Sequence, residues 1–159
     1  MDTFRPFYLL QKLFIAAAEI QLPPDPSIGW NSYGVMTYFW PSPSERMRGL
    51  WVNVNEYEIM LATALSHTHI DQHDWDVRNA SSGDVADRIV EQGTVQALGI
   101  LSGETVFVRI YDPNGHEDTS SGMSSRRLWN DPEQRAAWTK FHAGGWTARA
   151  WNWHGEVTD

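Results

Sequence analysis

The sequence predicts an α+β fold, in which a single domain holds a mostly antiparallel sheet with flanking helices. Three observations lead to this class. The length of 159 residues fits one domain. Hydrophobic residues make up 42% of the chain and aromatic residues 13%, which is enough to form a buried core. Segments with strand-like composition also alternate irregularly with segments of helical spacing. We therefore expect residues 1–159 to form one α+β domain.

The first predicted element is a helix over residues 4–21, with Thr3 as its N-cap and Pro6 in its first turn. The helix should end before the Pro-rich linker that begins at Pro23. Its apolar residues cover a wide surface, so most of them are expected to be buried. They are Phe7, Leu9, Leu10, Leu13, Phe14, Ala17 and Ile20.

Two strands are predicted next, at residues 33–40 and 50–54, because β-branched and aromatic residues dominate both segments. Asn55 and Glu58 then have the spacing of a helix N-cap pair, and apolar residues follow at helical intervals as far as Leu65. A second helix is therefore predicted from Asn55.

A short helix is predicted over residues 82–93, closed by Gly93. A hairpin of strands 95–101 and 105–111 should follow it, with a turn at residues 112–115. We expect residues 117–125 to form a polar loop. Asp131 and Pro132 then open a helix to about His142, and residues 146–154 alternate like an edge strand.

The composition excludes several kinds of protein. The chain has no Cys, so it cannot carry a disulfide framework, a cysteine nucleophile or a thiolate metal site. Its net charge of −8 argues against direct binding to nucleic acid, which needs a basic surface. The apolar stretch over residues 7–20 is interrupted by Gln11, Lys12 and Glu19, so it fits neither a signal peptide nor a membrane-spanning helix. We therefore expect a cytoplasmic protein with no membrane partner.

The negative charge is concentrated in the middle of the chain. Residues 53–119 contain twelve acidic and three basic residues, a net charge of −9, whereas the remainder has a net charge of +1. Such a bias can simply keep a protein soluble. It can also speed docking to a basic protein partner. For this second reading the predicted contact residues are Asp71, Asp74, Trp75, Asp76, Asp84, Asp87 and Glu91. Trp75 is included because an aromatic side chain among acids is typical of an interface anchor, although burial in the core would also account for it.

A cluster of histidines supplies a different hypothesis. His67, His69, Asp71 and His73 alternate along the chain, so on a strand they could converge on one metal ion. The run resembles the His-x-His-x-Asp-His signature of the metallo-β-lactamase fold, except that Gln72 separates Asp71 from His73. The resemblance implies a small metal-dependent hydrolase. Gly-x-Ser-x-Gly, Walker and Gly-x-Gly-x-x-Gly motifs do not occur, so the leading expectation is a protein that is not an enzyme and needs no cofactor.

In size and composition the chain resembles the immunity proteins of bacterial polymorphic toxins, including those that neutralise type VI secretion effectors. The shared features are a small, acidic, Trp-rich and Cys-free chain without a catalytic motif. The resemblance implies a cytoplasmic antitoxin that binds a cognate basic protein toxin, and many such toxins are nucleases. An accessory protein encoded by a phage or mobile element, which assembles with itself or blocks a host enzyme, would have nearly the same composition, so this alternative stays open beside the metal-dependent hydrolase.

Overall fold

The fold was obtained as a computed structural model, which describes residues 8–74, 78 and 80–158. Helices and two antiparallel sheets make up the described chain, so the predicted α+β class with flanking helices is confirmed. The chain forms two compact units. Unit 1 comprises residues 1–41, 49–63 and 67–98, and unit 2 comprises residues 42–48, 64–66 and 99–159. That residues 1–159 form one domain stays a prediction.

Unit 1 is built on a five-stranded sheet whose spatial order follows the chain. Its strands are β1 (Ser27–Trp30), β2 (Met36–Pro41), β3 (Gly49–Val54), β4 (Ile59–Ala62) and β5 (His67–Ile70). Helix α1 (Leu9–Gln21) precedes the sheet, a 3-10 helix (Gln72–Asp74) follows β5, and α2 (Ser82–Leu101) comes next. All neighbouring strands pair antiparallel.

One face of this sheet is buried. Alternate residues of β2 to β4 point into the core, among them Met36, Val52, Val54, Ile59 and Leu61. Helix α1 contributes Leu10, Phe14 and Ala18, and the Phe14 ring meets the Tyr38 ring edge to face at 5.2 Å between centroids. The prediction that most of the apolar residues of this helix are buried is wrong for Leu9 and Ile20, which are 49% and 85% exposed. The predicted caps Thr3 and Pro6 lie outside the described residues.

Two sequence predictions in unit 1 are corrected by the structure. The predicted helix from Asn55 is instead a turn followed by β4, because the Asn55 side chain caps the β3–β4 connection by accepting from the N–H groups of Tyr57 (2.7 Å) and Glu58 (2.9 Å). The predicted helix over residues 82–93 is longer, since α2 continues through Gly93 to Leu101 and replaces the predicted strand 95–101. Gly93 does not end the helix, and it lies against the side chain of Ile59.

Unit 2 holds the second sheet, in the order β7-β6-β8-β9. Its elements are β6 (Thr105–Tyr111), β7 (Glu117–Ser125), α3 (Arg126–Trp129), α4 (Pro132–Ala137), β8 (Thr147–Asn152) and β9 (Gly155–Glu156). One face packs against Trp129 and Trp138 through Val106, Val108 and Ala150. The predicted strand 105–111, the turn at 112–115 and the Asp131 cap are confirmed.

Three predictions in unit 2 are wrong in detail. The predicted polar loop 117–125 is strand β7, because its backbone pairs along β6 although its side chains are polar. The helix predicted from Asp131 to His142 ends at Ala137. The predicted edge strand 146–154 is β8, which lies between β6 and the two-residue strand β9.

Candidate functional site

Helix α2 carries three of the acidic residues that the sequence predicts as partner contacts. Asp84, Asp87 and Glu91 are all exposed, and their spacing places them in one row along the helix. The next members of the same row are Val95 and Leu98, which are 57% and 43% exposed although they are apolar. We call this row of five residues the α2 face. It extends for about 21 Å, at about 1.5 Å of rise per residue.

The beginning of the α2 face is fixed by a capping interaction. The Asp84 carboxylate accepts hydrogen bonds from the Ser81 hydroxyl (2.7 Å) and from the Ser81 backbone N–H (3.1 Å). The Ser81 hydroxyl in turn accepts from the Asp84 backbone N–H at 3.1 Å, which completes a capping box. The bonds from Ser81 lower the pKa of Asp84, so this carboxylate keeps its negative charge at neutral pH.

The other two carboxylates of the α2 face are free to meet a partner. In the described part of the chain, neither Asp87 nor Glu91 has an ion pair or a side-chain hydrogen bond, and Arg88 adds one positive charge beside them. An acidic half and an apolar half therefore adjoin on one exposed helix surface. Interfaces between proteins combine these features, because apolar side chains supply burial while charges guide the approach.

Of the remaining predicted contact residues, the structure describes the side chain of Asp71. Asp71 follows β5 and accepts a hydrogen bond from the backbone N–H of His73 at 2.6 Å, which opens the 3-10 helix. Trp75, Asp76 and the side chain of Asp74 lie outside the described residues. Among the predicted contact residues that the structure describes, it therefore gathers Asp84, Asp87 and Glu91 on one surface.

The residues of the predicted histidine cluster are divided between strand β5 and the 3-10 helix that follows it. His67 and His69 project from the exposed face of β5, with their ring centroids 5.4 Å apart, and Nδ1 of His69 lies 2.9 Å from Oε2 of Glu58. The chain then turns at Asp71, so His73 belongs to the 3-10 helix rather than to the strand. Among residues 8–74, 78 and 80–158, no three His, Asp or Glu side chains are arranged to hold a metal ion. Metal binding by His67, His69, Asp71 and His73 stays a prediction.

Sequence reasoning missed several residues with functional potential. The sequence predicts a strand at Val95 and Leu98, so it does not predict that they align with the carboxylates of α2. Arg46 and Arg48 lie in the loop before β3 and Arg109 lies in β6, yet in unit 2 the three line one pocket. The one available signal was Arg109, a charged residue inside the otherwise apolar strand β6.

No protein-family model, curated protein or solved structure matches this chain. Across the described residues, no helix combines the length and the apolar character needed to cross a lipid bilayer.

Proposed function

We propose that this protein is a non-catalytic, cytoplasmic inhibitor that binds a basic protein toxin, in the manner of the immunity proteins that it resembles in size and composition. The observation that carries the proposal is the α2 face, where three carboxylates adjoin two exposed apolar side chains. The resemblance suggests the class of partner, and the α2 face suggests how that partner is bound.

The carboxylates would guide association. Asp84, Asp87 and Glu91 provide three negative charges, with Arg88 beside them, in a protein whose net charge is −8. A concentrated charge of one sign raises the rate at which an oppositely charged partner docks, and the effect weakens as salt screens it. A nuclease toxin fits this requirement, because it must present a basic groove to the phosphates of its substrate. Carboxylates seated in that groove would exclude the substrate.

The apolar half of the α2 face would hold the complex together. Val95 and Leu98 expose apolar surface. Burying such surface stabilises a complex by about 25 cal/mol per Å². Apolar contacts in an interface mainly slow dissociation, and the carboxylates beside them also speed association. The two halves of α2 therefore contribute separately to a tight complex.

The test uses the protein encoded by the gene adjacent to this one as the toxin. Asp87→Lys combined with Glu91→Lys reverses two charges of the α2 face and leaves the Asp84 capping box intact. The matched control combines Glu19→Lys with Glu104→Lys, two exposed acids outside the α2 face, and so produces the same change of net charge. Circular dichroism on thermal unfolding checks that both variants fold like the wild type.

We expect the wild type and the control to bind the toxin and to protect cells that express it. The α2 variant should lose protection, and its Kd should rise by about a hundredfold, which corresponds to about 2.7 kcal/mol for two desolvated charge contacts. Equal protection by the α2 variant and the wild type would refute the α2 face as the binding surface. Failure of the wild type to protect would refute the inhibitor function itself.

A further inference from the structure

Unit 2 contains a pocket of about 460 Å³ that is unlike the α2 face in its charge. Three arginines line it, Arg46, Arg48 and Arg109, together with the acids Glu45 and Glu117 and the apolar side chain of Leu65. Its volume lies in the range of pockets that bind small molecules. The pocket is thus a positively charged concavity in a protein whose overall charge is negative.

Arg109 is the most buried of the three arginines. Only 13% of its side chain is exposed. Its Nη2 donates to the backbone carbonyl of Leu65. Its Nε is buried and lies 3.1 Å from Glu117, but it has no hydrogen bond of acceptable geometry within the described residues. A guanidinium has five N–H donors, and within the described residues Nη2 of Arg109 is the one that donates a hydrogen bond.

Arg46 is held beside Arg109 by shared contacts. The Glu117 carboxylate bridges the two, with Oε1 near Arg109 and Oε2 bonded to Arg46. The Arg46 guanidinium also lies over the ring of Trp151, 5.2 Å from its centroid. One carboxylate therefore compensates two guanidinium groups, and positive charge is left over at the pocket.

Arg48 supplies a further positive charge from a strained position. Its φ angle is 62°, in the left-handed region that favours glycine. The loop fixes this conformation, because the Arg48 N–H donates to Ser44 and its carbonyl accepts from Ser42. In the described part of the chain Arg48 has no ion pair. A bulky residue kept in this conformation is typical of functional sites.

We propose that this pocket binds a small molecule through an oxyanion, either a phosphate or a carboxylate group, held by Arg46, Arg48 and Arg109. The planar guanidinium offers pairs of N–H donors that match the oxygen spacing of both groups. Three positive and two negative side chains leave a net charge of +1 at the pocket. A dianionic phosphate gains more from that charge than a monoanionic carboxylate, so phosphate should bind more tightly.

The test titrates the full-length protein with inorganic phosphate or with acetate at constant ionic strength, and follows the arginine Nε–H signals by NMR. We expect saturable shifts of the Arg48 and Arg109 signals, with a lower Kd for phosphate. Arg48→Gln should raise the phosphate Kd about tenfold, as expected for one charge-assisted hydrogen bond. Glu45→Gln should lower that Kd about threefold, because it removes an exposed opposing charge.

Arg127→Gln is the matched control, since Arg127 is an exposed arginine of α3 that does not line the pocket. Its phosphate Kd should equal that of the wild type. The proposal is overturned if neither anion gives saturable shifts, or if Arg127→Gln weakens binding as much as Arg48→Gln. None of these variants alters the α2 face, so the outcome is independent of the proposed inhibitor function.

Discussion

Gly93→Ala tests whether close packing explains the glycine in the middle of α2. A Cβ at position 93 would lie 2.8 Å from Cδ1 of Ile59, which is closer than Cβ atoms approach other carbons. Ile59 is completely buried, so its side chain has little room to move away. The substitution should therefore force β4 and α2 apart or push Ile59 into a poor rotamer.

Two opposing effects determine the magnitude. Alanine in a helix interior is favoured over glycine by about 1 kcal/mol. Overpacking a well-filled core costs about 1–3 kcal/mol, so the net loss of stability should be about 0–2 kcal/mol. Ile59→Val removes Cδ1 and leaves Cγ2 at 3.3 Å as the nearest atom given for the new Cβ. In that background Gly93→Ala should instead stabilise the protein, by up to about 1 kcal/mol.

Urea unfolding of the four members of this double-mutant cycle measures the coupling, which we expect to be about 1–2 kcal/mol. Gly83→Ala is the control, because the nearest atom to its new Cβ is the Ser81 hydroxyl at 3.7 Å. That change should stabilise the protein by about 0.4–1 kcal/mol. If Gly93→Ala changes stability equally with Ile and with Val at position 59, the contact does not explain Gly93.

Two further predictions concern polar groups. Gln11 is completely buried and donates to the carbonyls of Gly34 (2.7 Å) and Val54 (3.0 Å), so Gln11→Leu should cost about 1–3 kcal/mol in urea unfolding. A change below about 0.5 kcal/mol, the range of surface substitutions, would contradict this. Hydrogen bonds from Arg149 lower the pKa of Glu156, so their stabilisation is present at neutral pH and is lost as the pH falls through the folded-state pKa. Because both side chains are substantially exposed, Glu156→Gln should cost only about 0.2–1 kcal/mol at pH 7 in thermal unfolding, and the difference from wild type should shrink as the pH is lowered. A difference that grows on acidification would contradict the assignment.

Sequence reasoning succeeded where the deciding interactions are local. The Asp131 side chain accepts from the N–H of Glu133 at 2.9 Å, which is the helix cap that an Asp before a Pro indicates. The turn at residues 112–115 likewise depends on neighbouring groups, since the N–H of Gly115 donates to the carbonyl of Asp112 at 2.9 Å and Gly115 has a φ of 83°. Such contacts can be recognised from a few adjacent residues.

Prediction from the sequence failed where strand pairing between distant segments decides between two structures with the same local chemistry. Asn55 makes the bonds of a helix cap, but the following residues pair with β3 and β5 and become β4. Strand β7 was predicted as a loop because its side chains are polar, whereas its pairing along β6 makes it a strand. Tertiary context overrides intrinsic propensity in both places.

The candidate site could be predicted only in part, because distant segments of the chain also decide which of its residues lie together. Asp84, Asp87 and Glu91 were selected by charge alone, and α2 places them in one row. Val95 and Leu98 belong to that row because α2 continues past Gly93, which the sequence does not predict. The arginine pocket combines β6, β7 and the loop before β3, and no local pattern brings those segments together.

The central claim, that the α2 face binds a basic protein partner, is tested most directly by carboxylate footprinting with mass spectrometry. The free protein and its complex with the adjacent gene product are labelled under identical conditions. Modification of Asp87 and Glu91 should be slowed at least about tenfold in the complex, because interface carboxylates are removed from solvent. Glu19 and Glu104 should react equally fast in both states. Unchanged labelling of Asp87 and Glu91 in a complex that is otherwise fully formed would contradict the claim.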